Sequence, residues 1–344
     1  MNEQIKALLD KAYLGEKLSR DEAASVFSAL VKGELNEITI GALLIALKVR
    51  GETIDEICGA ADALRSAANP FPRPALDGLV LDIVGTGGDG FNTINISTTA
   101  TFVAAAAGAN VAKHGNRSVS SKSGSSDLLG ELGIKLTMAP QTAANCLKEL
   151  GICFLFAPHY HGGVKYAVPV RQALKTRTLF NVLGPLINPS RPDAMLLGVY
   201  SESLVRPIAE VLAALGVKRA MVVHGSGLDE VALHGDTQVC ELNNGALKDY
   251  RLSPEDFGLA PIDVSALEGG DPTVNAALST AILKGEGKSA HRDAVALNAG
   301  CALYVAGLAD TPQAGFKLAI DTLASGKAYE KLVGLAAMSQ QDKA

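Results

Sequence analysis

The chain has few cysteines, and they follow none of the spacings that hold a structural zinc ion. The five thiols are scattered without a CxxC pair, at Cys58, Cys146, Cys153, Cys240 and Cys301. The histidines show no HExxH spacing either, so a zinc site is not expected. We predict free, buried thiols in a reducing cytoplasm.

Long apolar runs are also missing. No run approaches the roughly 20 residues that cross a bilayer, and FVAAAAGA is short and weakly hydrophobic. Residues 1–23 are charged and helical in pattern, unlike a signal peptide. We therefore expect a cytoplasmic protein without a membrane partner.

An excess of positive charge is the third missing feature. The 31 basic and 36 acidic residues give a net charge of −5, which argues against a general nucleic-acid partner. Any anion site must therefore be local. The chain is 344 residues long and 48% hydrophobic, enough for a large buried core.

Residues 1–68 carry helix signals throughout. Apolar positions recur at helical spacing, and the pairs Ser19 with Glu22 and Thr53 with Glu56 match capping boxes. The prolines and glycine of FPRPALDG, residues 71–78, interrupt this pattern. We predict a helical domain of about four helices over residues 1–70.

Residues 78–344 predict an α/β domain with a mostly parallel central sheet. Short β-rich runs alternate with helical stretches, and the runs are LVLDIV, NVAKH, ICFLFA, AMLLGVY and RAMVVHG. Residues 231–252 instead indicate antiparallel hairpin strands around Gly235 and the NNG turn. From about Pro272 the pattern is helical again.

One glycine-rich segment follows the first predicted strand and precedes a helix. It is GTGGDGFNTINIST, Gly85 to Thr98, which we call the glycine loop. It matches GxGxxG, but a dinucleotide site also needs an acid at the end of the second strand, where Lys113 and His114 stand. NAD is therefore disfavoured, while an NADP site and a purely structural turn stay open.

A second polar segment lies close behind the first. KHGNRSVSSKSGSSD, Lys113 to Asp127, here called the serine segment, combines basic side chains with six serines. Loop amides at a helix start suit a diphosphate, and Lys113, Asn116 and Arg117 would add positive charge and donors. Solvated surface residues are the alternative.

Asp229 and Glu230 are adjacent acids after a predicted strand, and we call them the acid pair. Hard divalent cations select oxygen ligands, so the pair predicts a magnesium site, with an exposed acidic loop as the alternative. Among Arg171, Lys175 and Arg177, a guanidinium suits a carboxylate ligand, but the pattern does not choose between them.

These motifs, with VRQALKTRTLFNVLGPLINP and GLDE in this order, closely resemble the anthranilate phosphoribosyltransferase family over nearly the whole chain. KHGNR followed by SGSSD is the most specific part, and it differs from the pyrimidine nucleoside phosphorylases. A related phosphoribosyltransferase or nucleoside phosphorylase with another acceptor stays open, as does a non-catalytic nucleotide-binding protein.

The resemblance implies a homodimer formed by the helical domain, to which residues 170–190 return, and an α/β domain of the nucleoside phosphorylase type. It implies transfer of the phosphoribosyl group of 5-phosphoribosyl 1-diphosphate to anthranilate, the second step of tryptophan biosynthesis from chorismate. No covalent nucleophile is expected.

The resemblance also carries site residues over by position. The implied contacts to 5-phosphoribosyl 1-diphosphate are Gly85, Gly88, Asp89, Thr93, Asn95, Ile96, Ser97, Thr98, Lys113, His114, Gly115, Asn116, Arg117, Ser118, Val119, Ser120, Ser121 and Ser125. The implied contacts to anthranilate are Gly85, Asn116 and Arg171. Up to two Mg²⁺ ions are implied, one on Ser97 and one on Asp229 with Glu230.

Overall fold

The computed structural model describes residues 2–117 and 122–342. Its first part is a bundle of four helices, which confirms the helical pattern of residues 1–68. The helices are α1 (Glu3–Tyr13), α2 (Arg20–Val31), α3 (Glu37–Arg50) and α4 (Ile54–Ser66). In the described parts of the chain, no helix is long and apolar enough to cross a membrane.

Both predicted capping boxes are present. Ser19 and Glu22 close the start of α2, and Thr53 and Glu56 close the start of α4. Glu56 is fully buried and does more than cap, because its carboxylate also accepts the Leu18 N–H at 2.9 Å and a bond from Arg50. Glu56 therefore ties α4 to the loop before α2 and to the end of α3.

The central sheet has seven strands among the described residues. They are β1 (Val80–Gly85), β2 (Asn110–Gly115), β3 (Ile152–Phe156), β4 (Ala194–Gly198), β5 (Arg219–Gly225), β6 (Thr237–Asn243) and β7 (Ala246–Leu252). Their order is β3-β2-β1-β4-β5-β6-β7, parallel from β3 to β5 and antiparallel beyond. The predicted mostly parallel sheet is confirmed.

The hairpin prediction is confirmed at one of its two turns. Strands β6 and β7 pair about Asn244 and Gly245, as the NNG turn indicates. Residues 231–236 around Gly235 form no strand and belong to the loop from β5 to β6. Val231, Ala232 and Leu233 are apolar because they are buried one after another in that loop.

Helices cover the sheet. They are α5 (Ile96–Ala106), α6 (Ser125–Glu131), α7 (Pro140–Leu150), α8 (Ala157–Tyr160), α9 (Val168–Leu174), α10 (Phe180–Leu186), α11 (Val205–Ala214), α12 (Pro272–Leu283), α13 (Ser289–Val305), α14 (Pro312–Ala324) and α15 (Lys327–Ser339). The predicted helical pattern after Pro272 lies in TVNAALSTAILKG, DAVALNAGCALYVAG and TPQAGFKLAIDTLASG, and these stretches correspond to α12, α13 and α14. Helix α15 was not predicted.

Alternation along the strands divides the apolar interior into two cores. Leu196 and Val223 face a core shared with α5, α13 and α15, while Leu197 and Val222 face the opposite way. That second core contains α11, the four-helix bundle, α9 and α10. Because side chains alternate with a period of two, one pair of strands serves both cores.

The five cysteines are buried free thiols, as predicted. Burial raises the pKa of each thiol, for Cys146 to about 11, so they stay protonated at neutral pH. Their role is to pack in the cores.

Replacing Glu56 tests whether its buried carboxylate holds the bundle together. We expect Glu56→Ala to lower the free energy of unfolding by about 3 kcal/mol, because Arg50 loses its partner and the Leu18 N–H loses its acceptor. The measurement is urea unfolding of the helical bundle followed by circular dichroism.

Glu22→Ala is the matched control, since Glu22 occupies the same capping position but is part exposed beside Lys11. Its expected cost is about 1 kcal/mol. Burial raises the pKa of Glu56, but the bonds from Arg50 and from two backbone N–H groups outweigh this effect and lower the pKa overall. The stability that the Glu56 carboxylate adds to the folded protein is therefore lost as the pH falls. Equal costs for the two variants would contradict the buried role of Glu56.

Candidate functional site

The candidate site lies where the order of the sheet reverses. The chain leaves β1 towards β2 on one side and returns to β4 on the other, so β1 and β4 are neighbours. Their carboxyl ends meet at Gly85 and Gly198, which are paired in register. Ligands of open α/β sheets bind in the crevice at such a reversal.

Asp229 enters this crevice from the loop after β5. A Cβ atom on Gly85 would lie 2.2 Å from Asp229 Oδ2, and one on Gly198 would lie 1.6 Å from the Asp229 carbonyl oxygen. Both contacts are too short for any side chain. Glycine at the two strand ends is therefore what lets Asp229 reach the glycine loop.

The acid pair is held by the glycine loop and the start of α5. The Gly87 N–H donates to Asp229 Oδ2 at 2.6 Å, and the Ser97 N–H donates to Glu230 Oε1 at 3.1 Å. Because Ser97 stands in the first turn of α5, the positive end of that helix faces Glu230.

The acid pair carries more negative charge than its surroundings balance. Burial and the nearby Asp89 raise the pKa of Asp229, and burial and Asp229 raise the pKa of Glu230. Within residues 2–117 and 122–342 neither carboxylate forms an ion pair. A bound cation would relieve this repulsion.

The oxygen atoms of Asp229, Glu230 and Ser97 suit magnesium better than a metal whose ligands all come from protein side chains. The described residues contain no group of three or more His, Cys, Asp or Glu side chains arranged to hold a metal. Mg²⁺ commonly takes one or two carboxylates and completes its shell with water and phosphate oxygens. Asp229, Glu230 and the Ser97 hydroxyl supply such a partial set.

Lys113 lies beneath the acid pair. It is buried, and its Nζ donates to the Ile83 carbonyl oxygen at 2.6 Å. Burial lowers its pKa, against the attraction of Asp82, Glu230 and Asp229. Its ammonium group therefore adds positive charge under the site rather than at the surface.

The next residue, His114, is uncharged. Burial lowers its pKa to about 3, and its Nδ1 lies 3.2 Å from the Gly184 carbonyl oxygen. Its ring meets the ring of His161 edge to face. The His114 side chain is thus neutral and buried between α10 and His161.

The tip of the glycine loop has a backbone that favours glycine. Gly87, Gly88 and Gly90 have φ of 69°, 78° and 88°. Arg177 bonds the Gly88 carbonyl oxygen and lies over the Tyr200 ring, 4.1 Å from its centroid. Arg177, which the sequence pattern left open, therefore touches the loop directly.

Arg171 lies apart from these contacts on α9. Its guanidinium is 5.4 Å from the centre of the Phe180 ring, and burial lowers its pKa. No ion pair of Arg171 occurs among the described residues. An unpaired, half-buried guanidinium is suited to a carboxylate ligand.

The start of the serine segment folds back on α6. Ser125 Oγ donates to the Asn116 carbonyl oxygen at 3.2 Å, and Arg117 pairs with Asp127 at 3.2 Å. Gly115 is confined, because a Cβ there would lie 2.3 Å from Ser125 Oγ. The predicted contacts Ser118, Val119, Ser120 and Ser121 lie outside the described residues.

The remaining predicted residues surround α5. Thr93 forms an isolated antiparallel β-bridge with Glu268, and Asn95 is the N-cap of α5. Ile96 and Thr98 are buried in the first turn of that helix. Asp89 accepts the Phe91 N–H at 3.1 Å. The described predicted residues of the glycine loop and serine segment therefore meet at the ends of β1 and β2.

Asn275, at the start of α12, is a positioning residue that the sequence pattern missed. Its Nδ2 donates to Asn95 Oδ1 at 2.8 Å, and its Oδ1 accepts the Gly270 N–H at 2.8 Å. Asn95 in turn donates to the Ser123 carbonyl oxygen at 2.9 Å. One buried amide thus connects α12 to both polar segments.

Asn275 could not be predicted from the sequence, because its role depends on close backbone contacts between residues 269–270 and residues 92–95. A Cβ on Gly269 would lie 2.6 Å from Asn275 Oδ1 and 2.7 Å from the Thr93 carbonyl oxygen. The Gly269 N–H donates to the Asn92 carbonyl oxygen at 2.8 Å. The pair Gly269–Gly270 before a helix is the available signal, but nothing local links it to residues 92–95.

Comparison with known proteins gives matches over both parts of the chain. Residues 6–68 match the helical bundle domain of a glycosyl transferase family, and residues 77–329 match its a/b domain. Anthranilate phosphoribosyltransferase of Shewanella amazonensis is 83% identical over 344 residues, the full length of both chains.

Solved structures of similar proteins have the same fold. The Thermus thermophilus anthranilate phosphoribosyltransferase superposes with a TM-score of 0.92 at 46% identity, covering 97% of this chain and 99% of that one. The Saccharomyces cerevisiae enzyme in complex with PRPP and Mg has a TM-score of 0.89 at 27% identity, covering 99% of each chain. The same yeast enzyme with 4-fluoroanthranilate has a TM-score of 0.87 at 28% identity, covering 98% of each.

Asn275→Asp tests the positioning role, because it keeps the acceptor for the Gly270 N–H but sets an oxygen against Asn95 Oδ1. We expect the KM of the phosphate-bearing substrate to rise about tenfold, the cost of one disrupted buried bond, with kcat much less affected. The measurement is steady-state kinetics with each substrate varied.

Asn145→Asp is the control, since Asn145 is exposed on α7 and bonds only Gln141 among the described residues. It should leave both KM values unchanged. A drop in kcat alone for Asn275→Asp, or an unchanged KM, would remove Asn275 from the positioning of the two segments.

Proposed function

This chain belongs to the anthranilate phosphoribosyltransferase family, and we propose that its catalytic site is the crevice between the glycine loop, the serine segment and the acid pair. The enzyme is a pentosyltransferase. It moves the phosphoribosyl group of 5-phosphoribosyl 1-diphosphate to the amino group of anthranilate, giving N-(5-phosphoribosyl)anthranilate and diphosphate. This reaction is the second step of tryptophan biosynthesis from chorismate.

The observation that carries the site assignment is the Gly87 to Asp229 hydrogen bond. It joins the loop that offers amide donors to an anion with the carboxylate that attracts a cation. A magnesium diphosphate needs both kinds of group side by side. The crevice at the ends of β1 and β4 supplies them within one hydrogen bond of each other.

The phosphoribosyl donor would be held by backbone amides and hydroxyls more than by exposed cations. The Gly87 and Ser97 N–H groups both point at the acid pair, and Lys113 adds charge beneath it. The proposed donor contacts are Gly85, Gly88, Asp89, Thr93, Asn95 to Thr98, Lys113 to Ser121, and Ser125.

The Saccharomyces cerevisiae enzyme binds Mg, and we propose up to two Mg²⁺ ions per chain here. One would bind the Ser97 hydroxyl and the other Asp229 with Glu230, whose mutual repulsion fits a cation. Bound there, Mg²⁺ would offset negative charge on the leaving diphosphate. The side chains present therefore fit the metal.

The rest of the mechanism follows from the chain's own groups. The amide donors of the loop stabilise the departing diphosphate while the ribose becomes cationic. The aryl amine of anthranilate is already uncharged at neutral pH, so a strong general base is unnecessary. Orienting the amine towards the anomeric carbon and excluding water supply much of the rate.

The acceptor would lie on the side of Arg171. Its guanidinium is half-buried and unpaired among the described residues, which suits bidentate binding of the anthranilate carboxylate. Asn116 and Gly85 complete the proposed acceptor contacts. Arg177, by contrast, holds the Gly88 carbonyl oxygen and belongs to the donor side.

Asp229→Asn tests the metal role, because the amide keeps an oxygen for the Gly87 N–H but removes the charge. We expect kcat/KM to fall about 100-fold and the Mg²⁺ concentration for half-maximal rate to rise. The assay follows loss of anthranilate fluorescence after adding 5-phosphoribosyl 1-diphosphate and Mg²⁺.

Asp236→Asn is the control, since Asp236 stands on the same loop but is exposed near Arg251. It should keep the parent rate. Full turnover of Asp229→Asn at limiting Mg²⁺ would refute the metal role, and turnover of another aromatic amine or a nucleobase in preference to anthranilate would refute the assigned acceptor.

Arg171→Ala and Arg177→Ala separate the two substrate sides. We expect Arg171→Ala to raise the anthranilate KM about tenfold or more through loss of a charge-assisted contact, with little change for the donor. Arg177→Ala should raise the donor KM instead, because it frees the glycine loop. The reverse pattern, or no change in either KM, would contradict the assignment.

We propose that residues 1–70 form the dimerisation domain, joined to the α/β domain of residues 78–344 by the returning segment 170–190. Helix α3 carries an apolar stripe at helical spacing, formed by Ile38, Ala42, Ile45 and Val49, with Ile38 85% and Val49 81% exposed. A second copy of the chain would cover this stripe.

Residues 166–168, just before the returning segment, extend the same surface. Tyr166 and Val168 are both more than a third exposed, and α9 packs on α3. Leu14, at the end of α1, is 78% exposed. These exposed apolar residues lie on elements that pack against α3, which supports an interface built from the helical domain and the chain next to the returning segment. The buried thiols support a reducing, cytoplasmic setting.

Val49→Asp is expected to convert the dimer into a monomer, because a buried unpaired carboxylate is costly. Sedimentation equilibrium measures the mass of the species. Val333→Asp is the matched control, since Val333 is likewise an exposed valine in a helix but lies on α15. A monomeric parent, or a Val49→Asp variant that stays dimeric, would disprove the interface.

A further inference from the structure

A polar cavity lies at the amino ends of β4 and β5, the edge of the sheet away from the catalytic crevice. Its volume is about 310 Å³, and it opens between α4 and the segments that precede the two strands. Its lining includes Asp62 and Arg65 from α4, Arg191 and Asp193 before β4, and residues 215–217 before β5. We call it the arginine cavity.

The charges of the cavity do not balance. Asp62 is paired with Arg20 at 2.6 Å, and Asp193 is paired with Arg73 and with Lys218. Arg65 and Arg191 form no ion pair with any described residue. The lining and its ion-pair partners therefore hold five cations and two carboxylates, in a chain whose net charge is −5.

Arg65 is held at the cavity with its charge poorly solvated. Its Nε donates to the Leu186 carbonyl oxygen at 2.7 Å, and that is its one hydrogen bond within the described residues. Burial, followed by repulsion from Arg191, lowers its pKa to about 10. The guanidinium remains charged at neutral pH, and an anion beside it would recover the lost stabilisation.

Arg191 adopts a backbone conformation that favours glycine. Its φ is 49°, in the left-handed region that is uncommon for residues other than glycine. Arg73 bonds the Arg191 carbonyl oxygen at 2.7 Å, and the Arg191 N–H donates to the Asn188 carbonyl oxygen at 3.0 Å. The fold therefore holds a second arginine at the lining of the same cavity, at a conformational cost.

We propose that the arginine cavity binds a tetrahedral oxyanion of the phosphate class, held by the guanidinium groups of Arg65 and Arg191. Planar guanidinium forks suit phosphate oxygens, and a dianion balances the excess charge better than a monocarboxylate. The anion would connect α4 of the helical bundle with the strand ends of the α/β domain. Binding would therefore stabilise the joined domains.

The test measures binding of radiolabelled inorganic phosphate by equilibrium dialysis, with the catalytic crevice saturated by 5-phosphoribosyl 1-diphosphate and Mg²⁺. The parent should bind one phosphate per chain, and Arg191→Gln should bind it about tenfold more weakly. Arg251→Gln, which removes the same charge from exposed β7, is the control and should bind like the parent.

A second measurement separates binding from folding. In phosphate-free buffer, with the catalytic crevice filled by 5-phosphoribosyl 1-diphosphate and Mg²⁺ as in the dialysis, Arg191→Gln should melt no lower than the parent, because repulsion of Arg65 is removed. Phosphate should raise the Tm of the parent and of Arg251→Gln, but not that of Arg191→Gln. Arg191→Lys keeps the charge without the fork and should respond weakly.

Three results would overturn the proposal. The first is that no phosphate binds once the crevice is filled. The second is that Arg191→Gln and the parent bind phosphate equally and show equal Tm shifts. The third is that acetate displaces phosphate at equal concentration. The last would show that the cavity accepts any small anion rather than the phosphate class. None of these results bears on the catalytic site, because that site is occupied throughout.

Discussion

The catalytic crevice depends on the close approach of Asp229 to the ends of two parallel strands. Gly85 and Gly198 have no side chains at the one place where the loop after β5 must pass. With Asp229 seated there, the Gly87 N–H finds its acceptor, and the glycine loop is held over the sheet. A methyl group at either strand end would displace the carboxylate, and with it the proposed metal ligand and the loop.

In the proposed site, the charges around that contact are arranged so that a magnesium diphosphate would balance them. Asp229 and Glu230 repel each other, and the ammonium of Lys113 sits below them bonded to the backbone. A magnesium diphosphate supplies both a cation for the acids and an anion for the amides and Lys113. The arginine cavity at the opposite sheet edge shows the reverse imbalance, with guanidinium groups that lack an anion.

Sequence patterns predicted whatever depends on neighbours in the chain. The capping boxes, the parallel strands and the NNG hairpin follow from local spacing, and the motifs of the glycine loop, serine segment and acid pair identify the family. Asn275 and Gly198 could not be found in this way, and Arg177 could not be chosen over its neighbours, because the residues they contact lie far away in the chain. The loop at residues 231–236 was mispredicted because its apolar residues are buried in a loop and not in a strand. Helix α15 was missed although its buried Ala328, Leu332 and Leu335 follow helical spacing.

The most direct test of the central claim is a crystal structure with Mg²⁺ and 5-phosphoribosyl 1-diphosphate bound. We predict the diphosphate between the amides of the glycine loop and the start of α5, with a metal on Asp229 and Glu230 and Asp229 still bonded to the Gly87 N–H. A diphosphate bound away from the ends of β1 and β4, or an acid pair without metal at saturating Mg²⁺, would contradict it.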